Sequence, residues 1–304
     1  MLNTYSLNAG NNKNHKTITM TNLTSAPFTQ DAKNTEHISL YLWETRSLFI
    51  GQLTEPAELT TAASCLFIGL NTPTSIAIGK NAIPLTANLI LIPVGTPIRW
   101  DMNNNLGACC FLDPLGRDFE ILKKHMTKAK GGAYYAHAEL AALISPLMLT
   151  FHQQHTDSEL AYQQLVDILQ LDASPKNNEN DVHLWRILDL VRKHHQENHS
   201  MKFFAQQLCL SEAALSTLFK QATGLSIRRY RNWHRIFTAA QLLTMGKSIT
   251  NAAMEGGFTD AAHFVHVFRD MIGIRPSSIQ HMLQHTKLVI NNSHQREQPV
   301  PLHE

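Results

Sequence analysis

The sequence predicts an α+β protein of two domains: an N-terminal β-domain that ends in two or three helices, and a C-terminal domain made only of helices. Three observations predict this. Residues 36–112 consist of short apolar or alternating runs, residues 118–171 have helical spacing, and residues 201–273 contain one helix-turn-helix pattern twice. A period of two favours strands and a period near 3.6 favours helices. A chain of 304 residues is long enough for two such domains.

The N-terminal region is expected to begin with a polar tail, residues 1–35, which is rich in Asn, Thr, Ser and Lys. Strands are predicted after it at 38–43, 47–52, 64–70, 75–78, 89–93, 98–101 and 108–112. Turn residues such as Gly51, Gly69 and Pro73 supply the breaks between them. Many short strands at this spacing are typical of a small sandwich or barrel.

Helices are expected at 118–128, 136–155 and 158–171, followed by a polar linker at 173–180. The last two of these helices each have an apolar side. Its members are Leu140, Leu143, Leu147 and Phe151 in one helix and Leu160, Leu165 and Leu169 in the other. Periodicity cannot distinguish a face that packs on the β-domain from one that forms a dimer, so both interpretations stay open.

The C-terminal domain, residues 181–285, is organised by two matching segments, 201–224 and 248–273, after a first helix at 181–198. Each segment has a small residue that lets its helices approach closely, a hydroxyl residue that can cap its second helix, and a glycine that ends this helix. These residues are Ala205, Ser211 and Gly224 in the first segment and Ala253, Thr259 and Gly273 in the second.

A stretch without Pro or Gly, residues 227–245, joins the two segments and is predicted to be one helix with an apolar stripe. Its nineteen residues would span about 28 Å. Successive major-groove faces on one side of B-DNA lie about 34 Å apart. The pattern therefore indicates a rod that presents two recognition helices to adjacent turns of a duplex.

Charge is distributed unevenly along the chain. The net charge is +2, yet residues 181–285 hold 12 Lys+Arg against 7 Asp+Glu, and the remainder is slightly acidic. A basic module on a near-neutral partner is typical of nucleic-acid binding.

Neither a secretion signal nor an apolar run of about 20 residues is recognisable, so we expect a cytoplasmic protein without a membrane partner. The cysteines Cys65, Cys109, Cys110 and Cys209 have neither zinc nor disulfide spacing. Buried thiols in a reducing compartment are the favoured interpretation.

On these residues the chain resembles the AraC/XylS family of bacterial transcription regulators. The matching positions are Ile249, Ala253, Gly257, Phe258, Phe264, Phe268, Arg269, Gly273 and Pro276, with Tyr230, Arg235, Ala239, Leu242 and Leu243 in the joining helix. The resemblance covers residues 181–285. It implies a sequence-specific regulator of double-stranded DNA, usually an activator that contacts RNA polymerase. It also implies a cupin-like domain at 36–172 that senses a small molecule, forms a homodimer, or both.

The family pattern, carried across residue by residue, places base contacts on the early exposed positions of the two recognition helices. These are Ala213, Ser216 and Thr217 in the first helix and Ala262, His263 and His266 in the second. Phosphate contacts are expected from Lys220, Arg228, Arg229, Arg231 and Arg269. The family frequently has Arg where Thr217 and His266 stand, so direct readout should be modest and DNA shape should contribute to specificity.

The chain departs from the family pattern at three further positions. Cys209 stands where the first turn often has Gly, Gly256 replaces an apolar residue, and His234 replaces Leu. Gly256 is expected to weaken its helix by about 1 kcal/mol relative to Ala. Arg235 occupies a position that is structural in the family, so we expect it to brace the joining helix rather than to contact DNA.

No catalytic residue and no cofactor is predicted, although an enzyme built on the β-domain with a DNA-binding appendage is an alternative. Another is a regulator whose N-terminal half only dimerises. The nearest approach to paired carboxylates is Asp113 with Asp118, and Arg117 between them favours local pairing at a helix start.

Two other patterns have both an ordinary and a functional interpretation. His194, His195 and His199 suggest a metal site, but adjacent residues on a helix point apart, so solvated or phosphate-facing histidines are favoured and no metal is predicted. The aromatic residues of the β-domain could line a ligand pocket, although an ordinary core is favoured. They are Tyr41, Trp43, Phe49, Phe67 and Trp100.

Overall fold

A computed structural model describes residues 38–43, 45–53, 56–112, 117–136, 138–154, 156–171, 182–277 and 289–290, all of which belong to one unit, Thr35–Glu304. The predicted tail at 1–35 and linker at 173–180 lie outside the described residues. No helix among the described residues is long and apolar enough to cross a membrane.

The strands follow the predicted texture of short runs. They are β1 Ser39–Leu42, β2 Ser47–Gly51, β3 Ala57–Thr60, β4 Cys65–Gly69, β5 Thr74–Ile78, β6 Ile83–Ala87, β7 Leu89–Ile92, β8 Pro97–Asp101, β9 Gly107–Phe111, β10 Thr127–Lys128, β11 Tyr134–Ala136 and β12 Val289–Ile290. One sheet has the order β10-β11-β7-β4-β9-β2-β1-β12, and the other has the order β3-β8-β5-β6.

The central strands of the larger sheet are buried on both faces. In β4, β7 and β9 every residue is buried, which explains why these segments are apolar runs rather than alternating ones. One face, with Phe67 and Ile90, belongs to the core shared with the smaller sheet. The opposite face, with Leu66 and Leu91, belongs to a core shared with helices. The larger sheet is therefore the middle layer of the β-domain.

The helices are α1 Asp118–Lys123, α2 Ala138–Gln154, α3 Ser158–Leu169, α4 Val182–Lys193, α5 Met201–Gln207, α6 Glu212–Thr223, α7 Ile227–Thr244, α8 Ile249–Glu255 and α9 Ala261–Ile272. Those of the C-terminal domain begin and end within about two residues of the predicted positions, except that α4 ends at Lys193, so the prediction of a first helix to residue 198 was too long. The predicted helix at 118–128 was too long, because its final residues form β10. Beyond the predicted helical domain, in residues 286–304 where we expect only a polar tail, Val289–Ile290 form β12, which pairs in parallel with β1.

Helices α2 and α3 pack on the β-domain. Tyr41 in β1 donates a hydrogen bond to the carbonyl oxygen of Phe151 at 3.1 Å, and the Trp43 indole donates to the carbonyl oxygen of Ser158 at 3.0 Å. The buried face of α2 is Ala141, Ile144, Met148 and Phe151, one position away from most of the predicted stripe. Leu160 in α3 is 52% exposed, so part of the predicted apolar surface does not pack on the sheet.

A buried ion pair links the sheet to α1. The guanidinium of Arg46 donates two hydrogen bonds to the carboxylate of Asp118, at 2.7 and 2.8 Å, and both side chains are almost fully buried. The expected local pairing of Asp118 with Arg117 was wrong, because the carboxylate faces inward while Arg117 is exposed. Asp113 lies outside the described residues.

The cysteines are free thiols with different exposures. Cys65, Cys109 and Cys110 are buried, as predicted, and burial raises the pKa of the Cys109 and Cys110 thiols. Cys209 is exposed, so the prediction of burial was wrong there. It lies in the tight turn between α5 and α6.

The two helix-turn-helix segments differ in the cores they join. Residues of the first, including Phe204, Leu215 and Phe219, form a separate core with α4. Residues of the second, including Phe264 and Phe268, belong to the same core as the inner face of the β-sheets. The second unit is thus packed directly on the β-domain, and α9 contacts β3.

Candidate nucleic-acid interface

The first helix-turn-helix unit consists of α5 and α6, and both helices begin at a serine. Ser200 Oγ accepts a hydrogen bond from the Phe203 amide at 3.3 Å, and Ser211 Oγ accepts one from the Ala214 amide at 3.1 Å. These caps satisfy amide groups that have no partner in the first helical turn. Gly224 ends α6 in the left-handed conformation, with φ of +74°. The predicted cap and stop residues of this unit are confirmed.

The second unit, α8 and α9, repeats this construction with one change. Ser248 caps α8, but the cap of α9 is Asp260, whose carboxylate accepts a hydrogen bond from the His263 amide at 2.7 Å. This bond lowers the pKa of Asp260. The prediction that Thr259 would be the cap was wrong: its hydroxyl donates to the Asp260 carboxylate at 3.2 Å. An acidic group at a helix N-terminus is also favoured by the helix dipole.

The turns of the two units share a left-handed residue. It is Cys209 in the first turn, with φ of +53°, and Gly257 in the second, with φ of +89°. Cys209 is exposed, whereas Gly257 lies so close to Gln196 that a Cβ would be 2.4 Å from the Gln196 carbonyl oxygen. Gly256 is the C-cap of α8 rather than an interior helix residue, and it lies against Ala239 of α7. Gly256 should therefore weaken α8 by less than the loss expected for the interior of a helix. Its close contact with Ala239 explains why a residue without a side chain stands there.

Helix α7 carries both units. Ser226 caps it by accepting a hydrogen bond from the Arg229 amide at 3.2 Å, and its 18 residues span about 27 Å. The apolar stripe of the sequence consists of Tyr230, Ile236, Phe237, Ala240 and Leu243, and all are buried except Phe237, which is half-buried. Since α6, α8 and α9 all contact α7, one rigid element fixes the positions of both recognition helices.

The residues predicted to contact bases lie mostly on exposed surface. Ala213, Ser216 and Thr217 of α6 and Ala262 and His266 of α9 are exposed. His263 is half-buried, and its Nδ1 lies 3.1 Å from the Thr259 hydroxyl, with which it shares a hydrogen bond. The first turns of both helices are thus available to a partner.

The cations predicted to contact phosphates fall into two groups. Lys220, Arg228 and Arg269 are exposed. Arg229 is half-buried: its guanidinium pairs with Asp270 at 2.9 Å and donates to the carbonyl oxygen of Thr60 in β3. Arg229 therefore ties the start of α7 to the β-domain in this conformation.

Arg231 and Arg235 point from α7 to the segment between α4 and α5. Arg231 donates to the carbonyl oxygen of His199 at 2.7 Å, and burial, together with Arg228, lowers its pKa. Arg235 is buried and donates to the carbonyl oxygens of His195 and Glu197 and to the Asn198 side chain at 3.0 Å. Burial, followed by the charge of Arg231, lowers the pKa of Arg235 to about 10. Arg235 thus has the bracing contacts expected of a structural residue.

His234 lies between these arginines and has no hydrogen-bond partner for its buried Nε2 among the described residues. Its ring packs edge-on against Tyr230, with centroids 4.6 Å apart. Burial, then the charges of His195 and Arg192, lowers the pKa of His234 to about 3. The imidazole is therefore neutral at ordinary pH and occupies the position as an apolar group.

The histidines near the end of α4 do not behave as the adjacent pair in the sequence suggests. His195 is hydrogen-bonded to the Arg192 carbonyl oxygen and to the Thr238 hydroxyl. His194 instead lies with His199 and Glu197, and one potential ligand atom from each falls within 4.8 Å of the others. Sequence reasoning overlooked Glu197, because it compared only histidines.

A second candidate site is an apolar cavity of about 90 Å³ where the β-sheets meet α7 and α9. It is lined by Phe49, Phe67 and Trp100, three of the aromatic residues named from the sequence. Tyr41 and Trp43 belong to the opposite core. The helices contribute Trp233 and Phe268, which sequence reasoning missed because they lie in the other predicted domain.

Part of this chain is similar in sequence to known proteins. Residues 204–282 match a family model described as a helix-turn-helix domain. Over 124 residues the chain is 32% identical to the HTH-type transcriptional activator RhaS of Escherichia fergusonii and to RhaS of Escherichia coli. Each match covers 40% of this chain and 45% of the relative, so the chain spans less than half the length of these relatives.

The fold is similar to that of ToxT from Vibrio cholerae. A crystal structure of ToxT matches with a TM-score of 0.52 and 15% identity, over 79% of this chain and 99% of that one. A structure of ToxT bound to an unsaturated fatty acid matches with a TM-score of 0.50 and 12% identity, over 79% and 95%. Likeness at this identity shows a shared fold, which confirms the predicted α+β class with a β-domain and a helical domain.

Two helix-turn-helix units fixed on one connecting helix define a tandem helix-turn-helix protein, a class built to dock on a nucleic-acid duplex. The family model covers most of both units, and the chain is also similar to RhaS over 124 residues. These matches support a similarity to the AraC/XylS family of bacterial transcription regulators.

Proposed function

We propose that this chain is a sequence-specific DNA-binding transcription regulator, acting as an activator, whose helices α6 and α9 enter successive major grooves. One observation carries the proposal. Each recognition helix has twelve residues, starts at a capping side chain and ends at a left-handed glycine. Both helices contact α7, which is about as long as the groove spacing requires. Two recognition helices separated by about the distance between successive major grooves could bind both grooves on one side of a duplex.

The exposed side chains determine how bases would be read. Small groups at Ala213, Ser216 and Ala262 can touch a thymine methyl or form single hydrogen bonds. His266 is the largest exposed base-contact candidate on α9. Since no arginine occupies the positions predicted to contact bases, DNA shape should supply much of the specificity.

The test begins with selection of duplexes from a random pool, using the full chain. Binding of the selected duplex and of single-base variants is then measured by fluorescence anisotropy. His266→Ala should reduce discrimination at one or two adjacent base pairs, since one base contact contributes about 1–3 kcal/mol. Failure to select any duplex over random sequence would contradict the proposal.

The exposed cations give a separate readout. Lys220→Ala should weaken binding to all duplexes evenly and reduce the slope of log affinity against log salt by about one unit. Lys80→Ala is the matched control, because it removes the same charge from an exposed position of the β-domain. An equal effect of the two variants would place the DNA elsewhere on the protein.

The cavity supports a sensing role for the β-domain. A molecule bound there would contact Trp100 from the sheet and Phe268 from α9, so it could change how firmly the second unit is held. Among the described residues that line the cavity, none carries a charge. One ToxT structure is described as bound to a fatty acid, but this lining favours an uncharged apolar molecule over a carboxylate.

Butanoic acid and 1-butanol are suitable probes, since they share a chain short enough for a cavity of about 90 Å³ and differ in charge. Trp100 and Trp233 line the cavity, so binding should change the tryptophan fluorescence. We expect the alcohol to bind more tightly than the acid at neutral pH. Ala240→Phe, which fills the cavity, should abolish the change. If neither probe binds the wild type, the regulator whose N-terminal half only dimerises becomes the better description.

Two further partners belong to the proposal. A homodimer could form through the surface of α2 and α3 around Leu160, which is exposed although apolar. Leu160→Glu should then shift sedimentation from dimer to monomer. Contact with RNA polymerase is tested by transcription in vitro from a template with the selected duplex, where an increase in transcript supports activation and a decrease supports repression.

The alternative of an enzyme on the β-domain loses its strongest candidate residue. Asp118 is fully buried and paired with Arg46, so its carboxylate is inaccessible to a substrate. We therefore propose no catalytic residue.

A further inference from the structure

Three side chains with metal-ligating atoms converge on the segment that joins α4 to α5. The Nδ1 atom of His194 lies 3.0 Å from one carboxylate oxygen of Glu197, and the Nε2 atom of His199 contacts the other oxygen. All three potential ligand atoms lie within 4.8 Å of one another. The side chains of His194 and His199 are about one-third exposed, so solvent can reach the cluster.

From this convergence we infer that the α4–α5 segment binds one divalent transition-metal ion, with zinc as the best fit, through His194, Glu197 and His199. Two imidazoles and a carboxylate are ligands that zinc takes in proteins, with bonds of about 2.0–2.2 Å. A tetrahedral ion with such bonds places its ligand atoms about 3.4 Å apart. The observed separations therefore differ from this value by about 1.4 Å at most, and a water molecule would complete the coordination.

The surroundings hold the ligands in place. Arg235 donates to the carbonyl oxygen of Glu197 at 2.9 Å, and Arg231 donates to that of His199 at 2.7 Å. The His199 ring stacks on Phe203, with centroids 3.7 Å apart and an interplanar angle of 11°. Contacts of this kind orient ligands before the metal binds, so they raise metal affinity.

The position of the site gives the ion a structural role. His194 follows the last residue of α4, and His199 immediately precedes Ser200, the cap of α5. Between them, the backbone of Gln196 lies against Gly257 of the second unit. A bound ion would therefore fasten the first helix of the domain to the first helix-turn-helix unit, at a point that also touches the second.

Zinc binding to the full chain is measured by competition with a chromophoric chelator, after removal of metal by dialysis. We expect one zinc ion per chain at high affinity. Glu197→Gln should weaken this binding at least tenfold, and so should His194→Gln. His125→Gln is the matched control, because it removes an exposed histidine from the β-domain. Zinc should also raise the thermal midpoint of the wild type but not of Glu197→Gln.

These measurements need no DNA, so their failure would be distinct from failure of the proposed function. Glu197 is 54% exposed, and its side chain bonds only to the two histidines in the described structure, so Glu197→Gln should keep the fold, which circular dichroism checks. Equal zinc affinity in Glu197→Gln and the wild type would overturn the inference. So would tight binding that His125→Gln removes and His194→Gln retains.

Discussion

Gly257→Ala should be one of the most damaging single changes in the helical domain. Gly257 has φ of +89°, and an added Cβ would lie 2.4 Å from the carbonyl oxygen and 2.5 Å from the Cα of Gln196. The left-handed conformation costs a residue with a Cβ about 1–2 kcal/mol. Over-packing against backbone that cannot rotate away costs about 1–3 kcal/mol more. Alanine lowers the entropy of the unfolded chain, which offsets about 0.4–1 kcal/mol.

The net expectation is a loss of about 2–4 kcal/mol in the free energy of unfolding. Urea unfolding of the full chain, followed by far-ultraviolet circular dichroism, measures it. Cys209→Gly is the matched control, because Cys209 is left-handed at the equivalent turn but is exposed. Relief of strain and added chain entropy nearly cancel there, so its stability should change by less than about 1 kcal/mol. A Gly257→Ala variant within about 0.5 kcal/mol of the wild type would refute the tight contact with Gln196.

Three other predictions follow from side chains buried between elements. Arg46→Met should lower the free energy of unfolding by about 3–5 kcal/mol, since it leaves the Asp118 carboxylate buried without its guanidinium, and urea unfolding measures this. The pKa of His234 is lowered to about 3, whereas its ordinary value in the unfolded chain is near 6.5. Between these two values the unfolded chain binds a proton that the folded protein does not. The free energy of unfolding therefore falls by up to about 1.4 kcal/mol for each unit by which the pH is lowered below about 6.5. His234→Leu should remove most of that contribution between pH 6.5 and 5, and an unchanged slope would contradict the buried neutral imidazole. Arg229→Ala should leave the slope of log DNA affinity against log salt unchanged, because the Arg229 guanidinium already bonds to Asp270 and to Thr60 of the β-domain. A decrease of about one unit in this slope would instead support the phosphate contact predicted from the sequence.

The ends of the two helix-turn-helix units were predictable almost to the residue because their signals are local. Ser211 and Gly224 act within one turn of the helix they limit, and a capping side chain or a left-handed glycine has the same effect in any fold. The one error at a cap, Thr259 for Asp260, arose because both adjacent residues have suitable oxygens. Only the extended backbone at Asp260 decides between them.

Two of the strands that sequence reasoning missed, β3 and β6, lie at sheet edges. Both β3 and β6 are outer strands of the smaller sheet. Pro84 stands inside β6, which is tolerated because the second side of an edge strand needs no amide donor. Glu58 points outward from β3. Proline and charged residues suppress a strand signal in the sequence although they suit an edge.

The candidate sites depended on contacts between distant parts of the chain. Arg229 and Thr60 are 169 positions apart, and no periodicity relates them. The lining of the cavity likewise combines two regions that the sequence presents as separate domains. The positions of the exposed recognition residues could be anticipated, because they require only a helix and its outer face. The role of a cation could not, since it depends on what the folded chain places beside it.

The unequal cores of the two helix-turn-helix units mean that the units differ in independence. The first could keep its shape if the β-domain were removed, since Phe204 and Phe219 pack among helices. The second unit would lose part of its core. Phe268 of α9 and Trp233 of the adjoining α7 would be exposed to water where they now pack against the sheets. A change in the packing of the β-domain would therefore alter the position of α9 more than that of α6. If the protein binds DNA as proposed, α9 could leave its groove while α6 stays bound.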